Sequence, residues 1–369
     1  PALDAFPLGV WRRLLERAWR AQSAAQLNYA APAGAAALRG AIAEHLRAAR
    51  GVVCEAGQVF ITDGTQSSLD LCARAFADAG DTVWLENPGY GGALAACRNA
   101  ALKVVGIHVD GEGIAPTPAQ WRRQRPKLIY ATPSHQYPCG CVLSLPRRLA
   151  LIAGARAAGA LIIEDDYDSE FRHDGAPLAA MQGLAADAPV LYLGTFSKTM
   201  FPALRIGFIV VPAALAAPFA ALLERTAARG RVAEQLALAE FLRSGQFALH
   251  LRRMRRLYRQ RRDALVAALG RHLDGLATLH GASAGMHLAL RLEDAGVDDV
   301  ALSAAALRAG IVAPALSAQA TAAATPWKGL MLGYAQVPAE HMEALAAQLA
   351  ALLRAAATPA TLAGRASTP

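Results

Sequence analysis

The sequence predicts an α/β protein organised on a mostly parallel sheet. Short apolar runs of strand length alternate with helical stretches from about residue 59 to 211. The runs are apolar at consecutive positions, as strands buried on both faces are. Several run straight into polar turns, and ligands of open α/β sheets sit at such strand ends.

Bulk properties narrow the class. A chain of 369 residues can hold more than one domain, and 54% hydrophobic against 18% charged residues excludes a disordered chain. No signal peptide is expected, and no apolar run reaches the roughly 20 residues of a membrane helix. Cys54, Cys72, Cys97, Cys139 and Cys141 are odd in number and irregularly spaced, and Cys139 and Cys141 lack the second pair of a metal motif. Reduced thiols and a cytoplasmic location are expected. The net charge of +8 raises the question of nucleic acid or anionic ligands. Much of it lies in 252–262, where Leu251, Met254, Tyr258 and Leu265 recur at helical spacing and leave most arginines on the other face. A solvated or subunit-facing helix explains this better than a DNA contact. The chain begins at Pro1 rather than methionine, so a fragment or processed chain is expected.

The elements follow in order. Residues 1–28 form an N-terminal helix or arm, with Val10, Trp11, Leu14, Leu15, Ala18 and Trp19 on one face. A turn-rich loop, 28–34, leads to a helix over 35–50 that stops at Gly51. Strands are expected at 59–61, 82–85, 103–109, 128–130, 160–163 and 190–193, and helices at 69–79, 94–100 and 146–158. The chain is helical from 212 to about 269. A smaller α+β region follows, with strands at 286–292 and 330–333 and helices at 300–309 and 339–353. Residues 319–326 read as a loose loop. The domains are therefore 1–28, a large domain over 29–245, a small one over 246–356, and a disordered tail over 357–369.

Four strand ends carry chemistry. Small polar residues over 62–68 place free N–H groups at a helix N-terminus, a geometry that binds phosphate but is weak evidence alone. Tyr90 ends the second strand and either stacks on an aromatic ring or caps the sheet. Strand alternation puts Glu164 and Asp165 on opposite faces, and either can point inward. A carboxylate there can hold a pyridinium N–H, whereas Asp168 and Glu170 fit a solvated acidic turn. Lys198 lies just past the strand 190–193. It is either a desolvated amine, nucleophilic toward carbonyls, or a loop lysine reaching solvent. Ser197 and Arg205 beside it suit a phosphate dianion. Amine, hydroxyl and guanidinium together describe a site for pyridoxal 5'-phosphate.

In this order, the Gly-Thr turn, Glu86-Asn-Pro-Gly-Tyr90, Glu164-Asp-Asp-Tyr-Asp-Ser-Glu170 and Gly194-Thr-Phe-Ser-Lys198 resemble the fold-type-I, pyridoxal-phosphate-dependent aminotransferases of class I/II. Pro133-Ser-His-Gln-Tyr-Pro138 brings the chain closer to the aminotransferase-like domain of MocR/PdxR-type regulators, a branch of the GntR transcription factors. The resemblance covers about residues 3–355. It implies a large domain with a seven-stranded, mostly parallel sheet and a smaller C-terminal domain. It implies Lys198 as the Schiff-base lysine carrying the cofactor as an internal aldimine, Asp165 on the pyridine nitrogen, Tyr167 on the ring hydroxyl and Tyr90 stacked on the ring. Gly64, Thr65, Gln66, Thr195, Ser197 and Arg205 would cup the phosphate. Tyr29 would reach the phosphate of a neighbouring subunit, which implies a homodimer with interfacial sites.

Three departures bear on function. Tyr137 stands where related aminotransferases carry an asparagine, as is usual in the regulator branch. Met331, in Leu330-Met-Leu-Gly-Tyr334, stands where they carry the arginine that grips a substrate carboxylate. Phe6-Pro-Leu-Gly-Val-Trp11 already resembles the start of the aminotransferase-like part, so the winged helix of the regulators is expected to be absent from this chain. The expected function is an effector domain that responds to an amine, an amino acid or the cofactor itself, with DNA bound only through that winged helix. The alternative is a free-standing aminotransferase passing an amino group from an amino acid to a 2-oxo acid, or, less favoured, a lyase or racemase on the same cofactor. No metal is expected.

Overall fold

The computed structural model describes residues 1–357 except 176–177, 186, 227–229 and 323–324. Its main sheet comprises β1 (Val59–Thr62), β2 (Thr82–Asn87), β3 (Lys103–Asp110), β4 (Gly113–Ile114), β5 (Leu128–Ala131), β6 (Leu161–Asp166), β7 (Val190–Thr195) and β8 (Gly207–Val210). The order is β1-β8-β7-β6-β5-β2-β3-β4. The run from β7 through β6, β5 and β2 to β3 is parallel. β8 is antiparallel to β7 and β1, and β4 to β3. The sheet thus has eight strands rather than the expected seven. The extra one, β4, is two residues long and folds back on β3, too short to leave a periodic signal.

Every residue of β1, β5, β7 and β8 is buried, which is why those segments read as unbroken apolar runs. On one face Phe60, Leu85, Tyr130, Ile163 and Leu193 pack with residues of the helices Thr65–Phe76, Gly91–Asn99 and Ala213–Thr226. On the other, Trp84, Ile129, Ile162 and Val190 meet the helix Leu145–Ala158. Further along that sheet, Ile61, Tyr192 and Phe208 join the largest cluster, with the helices Ala36–Arg50, Val232–Arg243 and Gln246–Leu273.

A second, antiparallel sheet has the order β11-β10-β9, formed by β9 (Ala277–His280), β10 (His287–Leu292) and β11 (Gly329–Gly333). The helices Asp299–Arg308 and Met342–Ala356 accompany it. The strand β9 was not expected; only half buried along its length, it lacks a continuous apolar run.

Several expectations need correction. The helix after β1 starts at Thr65 rather than 69, because the polar residues that read as a turn are its first turn. The N-terminal helix, Leu8–Arg20, packs on Val232–Arg243 through Trp11 and Ala18, but Trp19 is 54% exposed. In the arginine-rich helix Leu251, Met254, Tyr258 and Leu265 are buried as expected. Arg261 and Arg262 are buried too, donating to the carbonyls of Ala335 and Ala282. Loop residues 319–322 are tied down: Thr321 is 3% exposed and its hydroxyl donates to the Glu86 carbonyl at 2.7 Å. Of the expected tail, Ala357 caps the last helix, and 358–369 lie outside the described residues. All five cysteines are free and buried. Among the described residues no helix is long and apolar enough to cross a membrane.

Candidate active site

Residues at or just beyond the C-terminal ends of β2, β5, β6 and β7 and the first turn of the helix Thr65–Phe76 line one cavity of about 820 Å³, whose far wall comes from the C-terminal region. Strand alternation decides between the two acids of β6. Glu164 points away from the cavity, and its carboxylate accepts the N–H groups of Met181 (2.8 Å) and Gln182 (3.1 Å). Asp165, 3% exposed, is on the cavity wall. Its Oδ2 accepts the Tyr130 hydroxyl at 2.9 Å, while its buried Oδ1 has no partner. Burial pushes the Asp165 carboxyl up to about 7, against the pull of the Tyr130 hydrogen bond and Lys198.

The rest of the acidic box is not the solvated turn that was expected. Asp168 is 1% exposed and lies 3.0 Å from His135 Nδ1, and Glu170 is only partly exposed. Asp166 pairs with buried Arg50 at 2.8 Å and accepts the Tyr192 hydroxyl at 2.5 Å. Tyr167 lines the cavity and donates to the His135 carbonyl at 2.8 Å. Burial first, then the charges of Asp168 and Asp165, hold its phenol well above its ordinary value.

The expected phosphate end is assembled from three segments. Gly64 caps the helix Thr65–Phe76 at φ +97°, a conformation that favours glycine. A Cβ there would lie 3.1 Å from Arg205 Nη2. Arg205 itself has φ +50° and donates to the Asp63 carbonyl at 2.7 Å. Thr65, Gln66, Thr195, Ser197 and Arg205 all line the cavity, and Thr195 Oγ1 accepts the Ser197 N–H at 3.2 Å. Free N–H groups at the helix start and a guanidinium make this an anion-binding end.

Lys198 lines the same cavity and is exposed, which decides against a desolvated amine. One helical turn, Phe196–Thr199, follows β7; Phe196 and Thr199 are buried and the lysine between them is left open to the cavity. Tyr90 lines the cavity as well, its ring edge-on to Tyr137 at 5.7 Å. Tyr29 is not brought to this cavity; it is 90% exposed.

A family model, Aminotransferase class I and II, matches residues 4–349. The chain belongs to the class I and II aminotransferase family. Within it the chain is 43% identical over 342 residues to the probable rhizopine catabolism regulatory protein MocR of Rhizobium meliloti, covering 93% of this chain and 69% of that protein. It is 36% identical over 256 residues to the pyridoxine biosynthesis transcriptional regulator PdxR of Corynebacterium glutamicum, covering 69% of this chain and 55% of that one. Among solved structures it superposes on LysN, the α-aminoadipate aminotransferase of Thermus thermophilus crystallised with N-(5'-phosphopyridoxyl)-L-leucine. The TM-score is 0.86 at 27% identity, over 98% of this chain and 91% of that one.

Among the cavity residues that sequence reasoning missed are Tyr130 and His287. Tyr130 sits inside an apolar run and reads as a strand residue, although a tyrosine at a strand end was the one available signal. His287 opens β10 with its Nε2 buried and unpartnered, and nothing in its neighbours flags it. His135 and Gln136 hydrogen-bond within the protein: His135 to Asp168, and Gln136 to Glu86 at 3.2 Å and the Pro88 carbonyl at 3.0 Å.

Proposed function

We propose that this chain is the effector-sensing domain of a MocR/PdxR-type transcriptional regulator, and that its cavity holds pyridoxal 5'-phosphate. The observation that carries this is the 43% identity to MocR along 93% of the chain. The cofactor is pyridoxal 5'-phosphate, and the residues fit it. A buried carboxylate oxygen without a partner stands ready for a ring N–H, a glycine-capped helix start beside Arg205 suits the phosphate, and a lysine shares their cavity.

When bound, the cofactor supplies an electrophilic aldehyde carbon and a ring that withdraws electrons. Lys198 would hold the cofactor through that carbon. Asp165 Oδ1 accepts the ring N–H, and a cation there favours its ionised form, reversing the upward push of burial. Tyr167 would hold the ring hydroxyl and Tyr90 would lie against the ring face, both lining the cavity. Gly64, Thr65, Gln66, Thr195, Ser197 and Arg205 hold the phosphate. Tyr29, exposed on its own subunit, reaches the phosphate of the partner in a homodimer. An amine, an amino acid or the cofactor then shifts the domain or dimer arrangement that a winged helix outside this chain reads on cytoplasmic DNA.

A second reading, a free-standing aminotransferase, is favoured by the fit to LysN and by Lys198, Asp165 and Tyr167 lining one cavity. Lys198 would then also carry a proton between substrate and cofactor carbons. Met331 on the cavity wall counts against it, since no guanidinium grips a substrate carboxylate there. The test is turnover. Cofactor-loaded protein is mixed with a panel of amino acids and a 2-oxo acid, and product is followed over many equivalents. The sensor reading expects an absorbance change without sustained product; continued release of a new 2-oxo acid overturns it.

A further inference from the structure

We propose that the ligand this cavity selects is a primary amine with no carboxylate beside its nitrogen and with an apolar body. The inference rests on the reading of Lys198 and Arg205 above and names the class of molecule that reaches them.

Among the described residues, Lys198 and Arg205 are the lysine and arginine side chains on the cavity wall. Both are committed, Lys198 to the cofactor's carbon and Arg205 to the phosphate end, where its Nη2 already donates to the Asp63 carbonyl at 2.7 Å. His287 also faces the cavity, but burial and the neighbouring His135 ring keep its imidazole well below its ordinary value, so it carries no charge at neutral pH. The Pro1 amine also lines the cavity, but burial first and then the Lys198 charge lower it to about 6, so a carboxylate entering here would shed its water and meet no cation that stays charged at neutral pH, which is costly.

The strand that would present such a charge presents an apolar side chain instead. Met331 lies in β11 opposite Ala289 of β10, and packs on the cluster of Cys139, Cys141, Ala289, Leu316 and Trp327. Arg291 in β10 does not substitute for it: its guanidinium lies over the Trp327 ring, 5.3 Å from the centroid, and it is absent from the cavity wall. Around Met331 the wall continues with Met286, Ile311, Val312, Pro314 and Val337. Such a wall rewards methylene groups where a carboxylate-binding site would reward charge.

Capture requires no outside reagent. The incoming nitrogen bonds the cofactor's aldehyde carbon as that carbon's bond to Lys198 Nζ breaks. The C=N link to Lys198 would be exchanged for one to the incoming nitrogen, two protons passing in all from that amine nitrogen to Nζ, and nothing is oxidised or reduced.

The experiment titrates cofactor-loaded protein with matched pairs, 2-phenylethylamine against phenylalanine and 3-methylbutylamine against leucine. Heat and visible absorbance report binding. Each amine is expected to bind at least about tenfold more tightly than its amino acid, the factor that a single lost charge-assisted hydrogen bond readily exceeds. Straight-chain amines from butyl to hexyl should gain about fourfold per methylene. Met331→Arg should narrow or invert the preference, and Met331→Leu should keep it. Equal or tighter binding of the amino acids overturns the proposal, as does failure of both members of every pair to bind. The wild-type titrations decide this even where Met331→Arg does not fold. Borohydride reduction and peptide mass spectrometry separate the underlying reading: no cofactor adduct on Lys198 sinks that reading, whereas an adduct with amino acids preferred sinks only the choice of amine.

Discussion

Asp165→Asn tests whether an unpartnered buried carboxylate waits for a cation. Asn keeps the shape and still accepts the Tyr130 hydroxyl, so the change removes mainly charge. In the cofactor-free protein the Asp165 carboxyl is pushed from 3.8 to about 7, chiefly by burial. A raised acid is disfavoured in its ionised form by folding, so wild-type stability falls as pH rises from about 4 to about 7. Two pH units, from pH 5 to the folded-state value, at about 1.36 kcal/mol each give about 2.7 kcal/mol lost on going to pH 8. Asn has no such dependence. Glu164 and Glu170 are pushed up in the same way, but they act on both proteins and cancel in the difference, while Glu86, raised chiefly by burial and only last by Asp165, cancels in the main. Urea unfolding of the two cofactor-free proteins at one fixed concentration, at pH 5 and pH 8, should show the variant gaining about 2–3 kcal/mol on the wild type between them. With cofactor the order reverses. Asn offers the ring N–H no anionic acceptor, and affinity should fall about 10- to 150-fold. A stability difference that does not change with pH refutes the reasoning about burial. Undiminished cofactor affinity refutes the assignment of Oδ1.

Lys198→Ala should keep the fold and lose the covalent adduct; a reducible lysine–cofactor bond persisting in that variant, found by mass spectrometry, shows the wrong lysine was assigned. Gly64→Val forces a side chain into φ +97° beside Arg205, so it should destabilise by about 1–3 kcal/mol and weaken cofactor retention in dialysis, and an unchanged retention removes Gly64 from the phosphate end. Arg50→Ala strands Asp166 and the Ser134 hydroxyl, each 2.8 Å from the guanidinium, and should cost about 3–5 kcal/mol in denaturant unfolding. A loss below about 1 kcal/mol there means that the pair is solvated.

The chemistry was legible because it is local. Thr65, Asp165 and Lys198 each sit within a few residues of a strand end, and the parallel sheet order brings those ends to one cavity. Alternation along β6 even separated Glu164 from Asp165, leaving only the choice of face to the tertiary structure. What failed was environment. Asp168 reads as a solvated acid because nothing nearby in sequence announces His135, 33 residues earlier, as its partner. The sequence left Lys198 between a desolvated amine and a loop lysine, and one helical turn beyond the buried strand leaves it open to the cavity. Arg261 and Arg262 read as surface charges because their acceptors, the Ala335 and Ala282 carbonyls, come from elsewhere in the chain.

The same division separates reactivity from selection. The reactive half of the cavity is built from short contiguous motifs, so a few substitutions outside them leave it intact. The selective half is a wall from β10, β11 and the loops around them, joined to the first half only by folding. Because Met331 is seated in an apolar cluster with Trp327 and Leu316, regaining a carboxylate grip takes more than one arginine: the cluster behind it must also accept the charge. Under the proposed reading, ligand choice would drift along this wall while Lys198 and Asp165 stay fixed.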